Sequence, residues 1–467
     1  MALSRRALLF GAGGASVASL LRASPSVTSV TPEMFGAKGD GRTNDTKAFA
    51  AMSAHLNARG GGTITLRRVT YLVGEQRRGA GGHELSFEPL DIIHLSHCSR
   101  SIRIAGNGAK LRCAPGLRYG RFDPRSGKSL PDARKLDITN KAAPYQGIVW
   151  IEHCSASVEI SDLELDGNLG ALVVGGRAFP GGWEAGGVGI RLYANRGPER
   201  LFRIYSHHHA VDGIMVTPAA DRSGATHMTD VICDYNGRQG CSITAGRNFL
   251  LERCTFRRTG RAGLGASPGA GVDIEAEESP IRNVVFSSCE FSDNIGFGMV
   301  AGSGDSADIR FSGCKFIGTT NLSAWPDKPG IRFDNCLFVG AINHSHGDAN
   351  PSRATQFHHC TFTDNPALSP TGKVYIPHPG KWIAIVLQSP NVLFSHCRFH
   401  LIAEGVLPIS QHNVIYEDCV MSQRSSDPSG PRGTYIGTNS INGNAHLEDS
   451  IIRGIVKVNG HLLPIQR

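Results

Sequence analysis

Six Cys-x-Phe steps constrain this chain more than any other feature. Cys254, Cys289, Cys314, Cys336, Cys360 and Cys397 each carry a Phe two residues on, and Cys419 closes the series. Successive cysteines lie 35, 25, 22, 24, 37 and 22 residues apart, and a unit recurring at about that length marks a solenoid. Residues i and i+2 of a strand share one face. Coils stacked in a narrow interior therefore place sulfur over sulfur and ring over ring. The expected fold is all-β, a parallel β-helix, with function on its outer face.

At 467 residues the chain is long enough for several domains, yet a repeat array can run to this length as one. Its 57 glycines and its Asn-Gly and Asp-Gly pairs favour turns and strands over helices. Charged residues make up 19%, and no apolar run reaches the roughly 20 residues that span a bilayer. Residues 1 to about 24 read as an export signal: Ser4-Arg5-Arg6 precedes a softened apolar stretch from Ala7 to Leu21, with Arg22 after it. The leader resembles a twin-arginine signal, with Leu8 and Leu9 in the apolar positions and no Lys following. It implies a bacterial protein that is periplasmic or secreted. No cysteine near its end would carry a lipid anchor. Removing three leader arginines takes the net charge from +8 to +5, which permits an acidic partner without demanding one. Nucleic acid is not an expected partner, and the oligomeric state is open.

Twelve cysteines in an exported protein ordinarily suggest disulfides. Here most recur at one phase of the repeat and alternate with Phe, so a ladder of buried free thiols is expected, each acting as a small hydrophobe. Export of an already folded chain from a reducing cytoplasm agrees with that. Cys-x-x-Cys does not occur, which leaves a structural zinc site without support.

The segment Thr31-Pro-Glu-Met-Phe-Gly-Ala-Lys-Gly-Asp-Gly-Arg-Thr-Asn-Asp-Thr46 leads into Ala48, Phe49, Met52 and Leu56, whose spacing predicts a short amphipathic helix. Gly60-Gly61-Gly62 ends it and a strand begins at Thr63. The end of a stack exposes apolar core and unpaired backbone, so residues 31–59 are expected to cap a single domain over 28–467. This segment resembles the opening of the pectate-lyase-like superfamily, right-handed parallel β-helices related to glycosyl hydrolase family 28. That resemblance implies the handedness and carbohydrate chemistry but no particular reaction. Three stretches interrupt the coils, at 115–145, 170–187 and 366–381, and long loops of a solenoid are where ligands are often gripped.

Four Gly-led strands align: Gly189-Ile-Arg-Leu-Tyr193, Gly213-Ile-Met-Val-Thr217, Gly240-Cys-Ser-Ile-Thr244 and Gly271-Val-Asp-Ile-Glu275. Alternation sends Ile190, Ile214, Cys241 and Val272 inward with Leu192, Val216, Ile243 and Ile274. The outer columns become Arg191, Met215, Ser242, Asp273 and Tyr193, Thr217, Thr244, Glu275. Asp273 and Glu275 thus stand side by side, two coils from Arg191 and Tyr193 in this alignment. His207, His208, His209, Asp212, Arg238 and Gln239 lie at the leading edge, and Glu277 follows.

Paired carboxylates suit the acid and base of glycoside hydrolysis, with inversion favoured above about 6.5 Å separation and retention nearer 5 Å. Asp273 and Glu275 are the expected catalytic pair, with Asp212 as a third acid. Arg191, Tyr193, His208, His209, Arg238, Gln239, Trp183 and Glu277 are the expected substrate contacts. Alternatively, β-elimination or epimerisation of a uronate needs a base and a cation to offset the carboxylate. Arg238, Arg191, a histidine or a calcium held by Asp273, Glu275 and Glu277 would serve. Hydrolysis requires no cofactor, and no metal is assigned. The adjacent His207-His208-His209 suggest a metal, but neighbouring residues point in different directions and only some of them could converge, so a turn-borne histidine contacting substrate is the preferred reading. His344, His346 and Asp348 read as structural. The polygalacturonase set Asn-x-Asp, Asp-Asp and Gly-His-Gly is missing, the nearest segment being His209-Ala-Val-Asp212-Gly213. Asp-Pro-His of mannuronan epimerases is missing too. The expected activity is cleavage of a polysaccharide by a glycoside hydrolase. The rivals are a lyase or epimerase and a non-catalytic glycan-binding solenoid.

Overall fold

The computed structural model describes residues 29–79, 85–132, 138–176 and 183–464; the leader lies outside the described residues. The coils stack as a parallel β-helix. One face is a twelve-stranded sheet that begins at Ile93–Ser96, passes through Val188–Tyr193, Asp212–Thr217, Gln239–Ile243 and Ala270–Ile274, and ends at Gly430–Pro431. The remaining faces belong to a 27-stranded sheet.

The interior holds two aromatic ladders. Phe256, Phe291, Phe316, Phe338, Phe362 and Phe399 stack with ring centroids 4.7–5.5 Å apart. Beside them run Phe286, Phe311, Phe333, Phe357 and Phe394, continued by Tyr416 and Tyr435. Rings of the two ladders meet edge to face, a geometry that suits the aromatic quadrupole. The full repeat is therefore Phe-x-x-Cys-x-Phe. All twelve cysteines are free and buried.

The cysteines of the Cys-x-Phe repeat do not sit on the strands, which corrects the expectation. Each repeat cysteine lies in the bend just before its strand and follows a residue of positive φ, among them Arg253, Ser288, Asn335, His359 and His396. From there the thiol reaches main-chain carbonyls; Cys289 Sγ lies 3.4 Å from Leu251 O and 3.5 Å from Ser287 O. The small side chain fills the corner while its weak S–H finds a carbonyl there.

Helix Thr46–Ala58 buries Phe49, Met52 and Leu56 completely. It also treats the open edge of the twelve-stranded sheet. Ser53 Oγ accepts from His94 N, Asn57 Oδ1 accepts from Ser96 N, and Asn57 Nδ2 donates to His94 O. Backbone groups that would otherwise lack partners at the first coil are thereby satisfied. In the preceding motif Asp45 accepts from Lys38 N and Gly39 N, and Asp40 from Arg42 N and Thr43 N. Two of the interrupting stretches, with Gln76–Arg78 and Phe87–Pro89, supply a five-stranded side sheet containing Arg118–Arg121, Lys141–Ala142 and Val173–Gly175. Among the described residues no helix is long and apolar enough to cross a membrane.

Candidate active site on the twelve-stranded sheet

The outer register runs Trp150, Arg191, Met215, Ser242, Asp273, Val300 and Trp325, each paired with the next across neighbouring strands. Val272 and Ile274 are fully buried on the other side of their strand, so alternation turns Asp273 and Glu275 outward. Arg191 is three ladder steps from Asp273 rather than two, because the strands of Met215 and Ser242 lie between.

Asp273 is the electrostatic centre. Its carboxyl is pushed up to about 7, first by burial and then by the negative charge of Glu275. Gln239 Nε2 donates to Asp273 Oδ2 at 2.9 Å, and Gln239 Oε1 accepts from Ala270 N at 3.0 Å. Glu277 is exposed, and its carboxyl is also raised, by partial burial and by Glu275. A carboxyl that keeps its proton near neutrality beside another carboxylate can donate that proton to a leaving oxygen.

Several expected contacts lie elsewhere. Asp212 has no exposed surface; Arg238 grips it with two bonds of 2.9 and 2.7 Å, and Ser242 Oγ donates at 2.8 Å. It is therefore a spent counter-ion beneath the groove and not a third acid. Arg238 is largely buried between Asp212 and Glu184 and serves the wall of the site. Gln239 is likewise sealed and touches Asp273, not solvent. His209 is fully buried against Tyr145 (Nδ1 to Oη 2.9 Å), and burial pushes its imidazole down to about 3. His209 is thus a neutral core residue. His208 leaves the site face altogether, stacking on Tyr235 beside the adjoining sheet. Trp183 is 3% exposed in a small core with Tyr119, Val188 and Val211, so it offers no surface to a sugar.

Arg191 and Tyr193 do lie on the face. Arg191 sits over the rings of Trp150 and Tyr193 at 5.3 and 5.4 Å. Tyr193 Oη donates to Glu278 Oε2 at 3.3 Å, which draws the acidic turn after Glu275 back along the groove. Sequence reasoning missed His94, Trp150 and Glu152 one and two coils upstream, and Trp325 with His344 downstream. His94 stacks on Trp150 at 4.2 Å and is held by Asp91 and Glu152, each at 3.0 Å. His344 stacks on Trp325 at 4.4 Å, while His346 Nε2 lies 3.8 Å from Asp348 Oδ2. Extending the same outer columns beyond four strands would have found His94, Trp150, Glu152 and Trp325, whereas His344 follows the strand Ile342–Asn343 in left-handed backbone and falls outside that register.

Calcium at Asp273, Glu275 and Glu277 would need their oxygens gathered around one ion. Among the described residues, the three potential ligands that lie within 4.8 Å of one another are instead Asp166, His207 and His208. The groove acids as placed are not gathered in this way and do not fit that ion.

Residues 146–338 match the family model described as a right handed beta helix region, which with the stacked parallel sheets makes the chain a right-handed parallel β-helix. Among solved structures it is similar to the pre-mature gene product 12 of bacteriophage phi29, with a TM-score of 0.50 and 13% identity, covering 93% of this chain and 57% of that one. It is also similar to the A-module of mannuronan C-5 epimerase AlgE4 of Azotobacter vinelandii (TM-score 0.45, 15% identity, 92% of this chain and 96% of that one). A stretch of 43 residues is 58% identical to the capsule KN3-specific depolymerase 1 of Klebsiella phage KN3-1. That stretch is 9% of this chain and 5% of the relative's length.

Proposed function

We propose that this protein is an exported enzyme that cleaves a polysaccharide, and that it does so by hydrolysis at Asp273 and Glu275. The observation that carries the reading is the Asp273 carboxyl, held by Gln239 and raised to about 7 beside Glu275. Asp273 donates its proton to the glycosidic oxygen; Glu275 takes a proton from the attacking water. Arg191, Tyr193, Glu277 and Glu278 contact the flanking sugars. The short stretch shared with a capsule depolymerase supports a polysaccharide as substrate.

Elimination or epimerisation is the weaker reading because both need a cation beside the sugar carboxylate. Arg238 is already engaged by Asp212 and Glu184. Arg191, three ladder steps from Asp273, is about 14 Å away at the strand spacing of a sheet. A panel of neutral and acidic polysaccharides distinguishes the readings. Hydrolysis yields new reducing ends without the ultraviolet absorbance of an unsaturated uronate. Absorbance marks a lyase, and retained binding without cleavage marks a glycan-binding module.

The Ser4-Arg5-Arg6 leader supports twin-arginine export to the periplasm or beyond, and twelve free buried thiols suit a chain folded before export. Replacing Arg5 and Arg6 together by Lys is expected to block export; continued export points to the general secretory route.

A further inference from the structure

On the adjoining sheet, away from the groove, strand Val158–Asp166 pairs with Glu199–His207 so that Glu164 lies beside Tyr205 and Asp166 beside His207. His208 follows in left-handed backbone, with φ of 55°. Its ring therefore returns toward its neighbour instead of continuing the strand alternation. His207 Nδ1 and His208 Nδ1 come within 2.7 Å. Two of the three adjacent histidines thus converge, brought together by that one backbone conformation, while His209 is buried against Tyr145.

The hydrogen bonds fix which atoms are free. His207 Nε2 lies 3.2 Å from Glu164 Oε1, and a carboxylate only accepts, so Nε2 carries the hydrogen and Nδ1 presents a lone pair. Asp166 Oδ1 lies 3.8 Å from that Nδ1. Tyr205 stacks on His207 at 4.2 Å and Tyr235 on His208 at 5.0 Å. The rings are thus held before any ligand arrives. Carboxylate, histidine and then metal is the order in which outer groups orient metal-bound imidazoles.

We infer that Asp166, His207 and His208 form a site for a divalent transition ion, bound through the two Nδ1 atoms and one Asp166 oxygen, with Glu164 as the positioning residue. Two imidazoles and a carboxylate suit zinc and its neighbours. Without the ion, His208 Nδ1 donates to His207 Nδ1; with it, the His208 hydrogen moves to Nε2 and both lone pairs face the metal. Lys110 neutralises the outer oxygens, at 2.9 Å from both Glu164 Oε1 and Asp166 Oδ2. Its charge limits affinity and disfavours a second ion.

The test is calorimetric titration of the metal-free protein with Zn²⁺, and with Co²⁺ read by its visible absorption. One ion per chain is expected. His208→Ala, at a half-buried bend, and Asp166→Asn are expected to abolish that uptake, and Glu164→Gln to weaken it about 10- to 100-fold. The thermal midpoint of the metal-free His208→Ala protein reports that it is folded. With 19 histidines in the chain, the variants decide the location. No uptake by the parent protein, or uptake unchanged in both His208→Ala and Asp166→Asn, overturns the site.

Discussion

Gln239 holds Asp273 from below: its amide nitrogen donates to Oδ2 at 2.9 Å while its carbonyl oxygen is anchored by Ala270 N at 3.0 Å. A donor to a carboxylate favours the ionised form. Gln239→Leu keeps the volume and removes the donor. The Asp273 carboxyl is then expected to titrate higher still, moving the alkaline limb of the rate profile upward in pH with substrate affinity retained. A profile that does not move would mean the bond has no influence on the acid.

Asp273 also makes stability depend on pH. Its folded carboxyl titrates near 7 because of burial and Glu275, well above an unfolded aspartate. Below about pH 4 both states hold the proton and nothing is lost. As pH rises toward 7 the unfolded chain releases it while the folded chain keeps it, so folding weakens. The full cost, on the order of 2–4 kcal/mol, is present above 7. Asp273→Asn removes it. The gain in thermal midpoint over the parent is expected to be small at pH 4 and large at pH 8; a gain independent of pH would contradict the raised carboxyl.

The twelve cysteines are free and buried, those of the Cys-x-Phe repeat in the corners of the stack. Thiol titration is expected to find few reactive groups in the native protein and all twelve after denaturation without reductant. Disulfides found by mass spectrometry would rule out the ladder.

Much of the fold was legible because a solenoid repeats its evidence. Cys-x-Phe spacing implies the stack, and strand alternation places Asp273 and Glu275 outward with Val272 and Ile274 inward, as in the folded chain. The second ladder through Phe286 and Phe311 escaped notice because its rings sit before the cysteine, across a bend that breaks the period of two. The candidate site was less legible for a related reason. At strand ends alternation no longer applies, so His208, His209 and Asp212 look alike in sequence. A left-handed residue, a buried tyrosine and an arginine clamp decide their separate fates. Trp183 reads as a sugar platform only until the side sheet that encloses it is known.

The most direct test of the account is the turnover of Asp273→Asn on a polysaccharide that the parent protein cleaves, measured as new reducing ends with binding followed in parallel. Loss of a general acid commonly costs about 10²- to 10⁴-fold in rate, and a fall of that size with binding retained is the expected result. Turnover close to that of the parent would show that Asp273 is not the proton donor and would contradict the proposed mechanism.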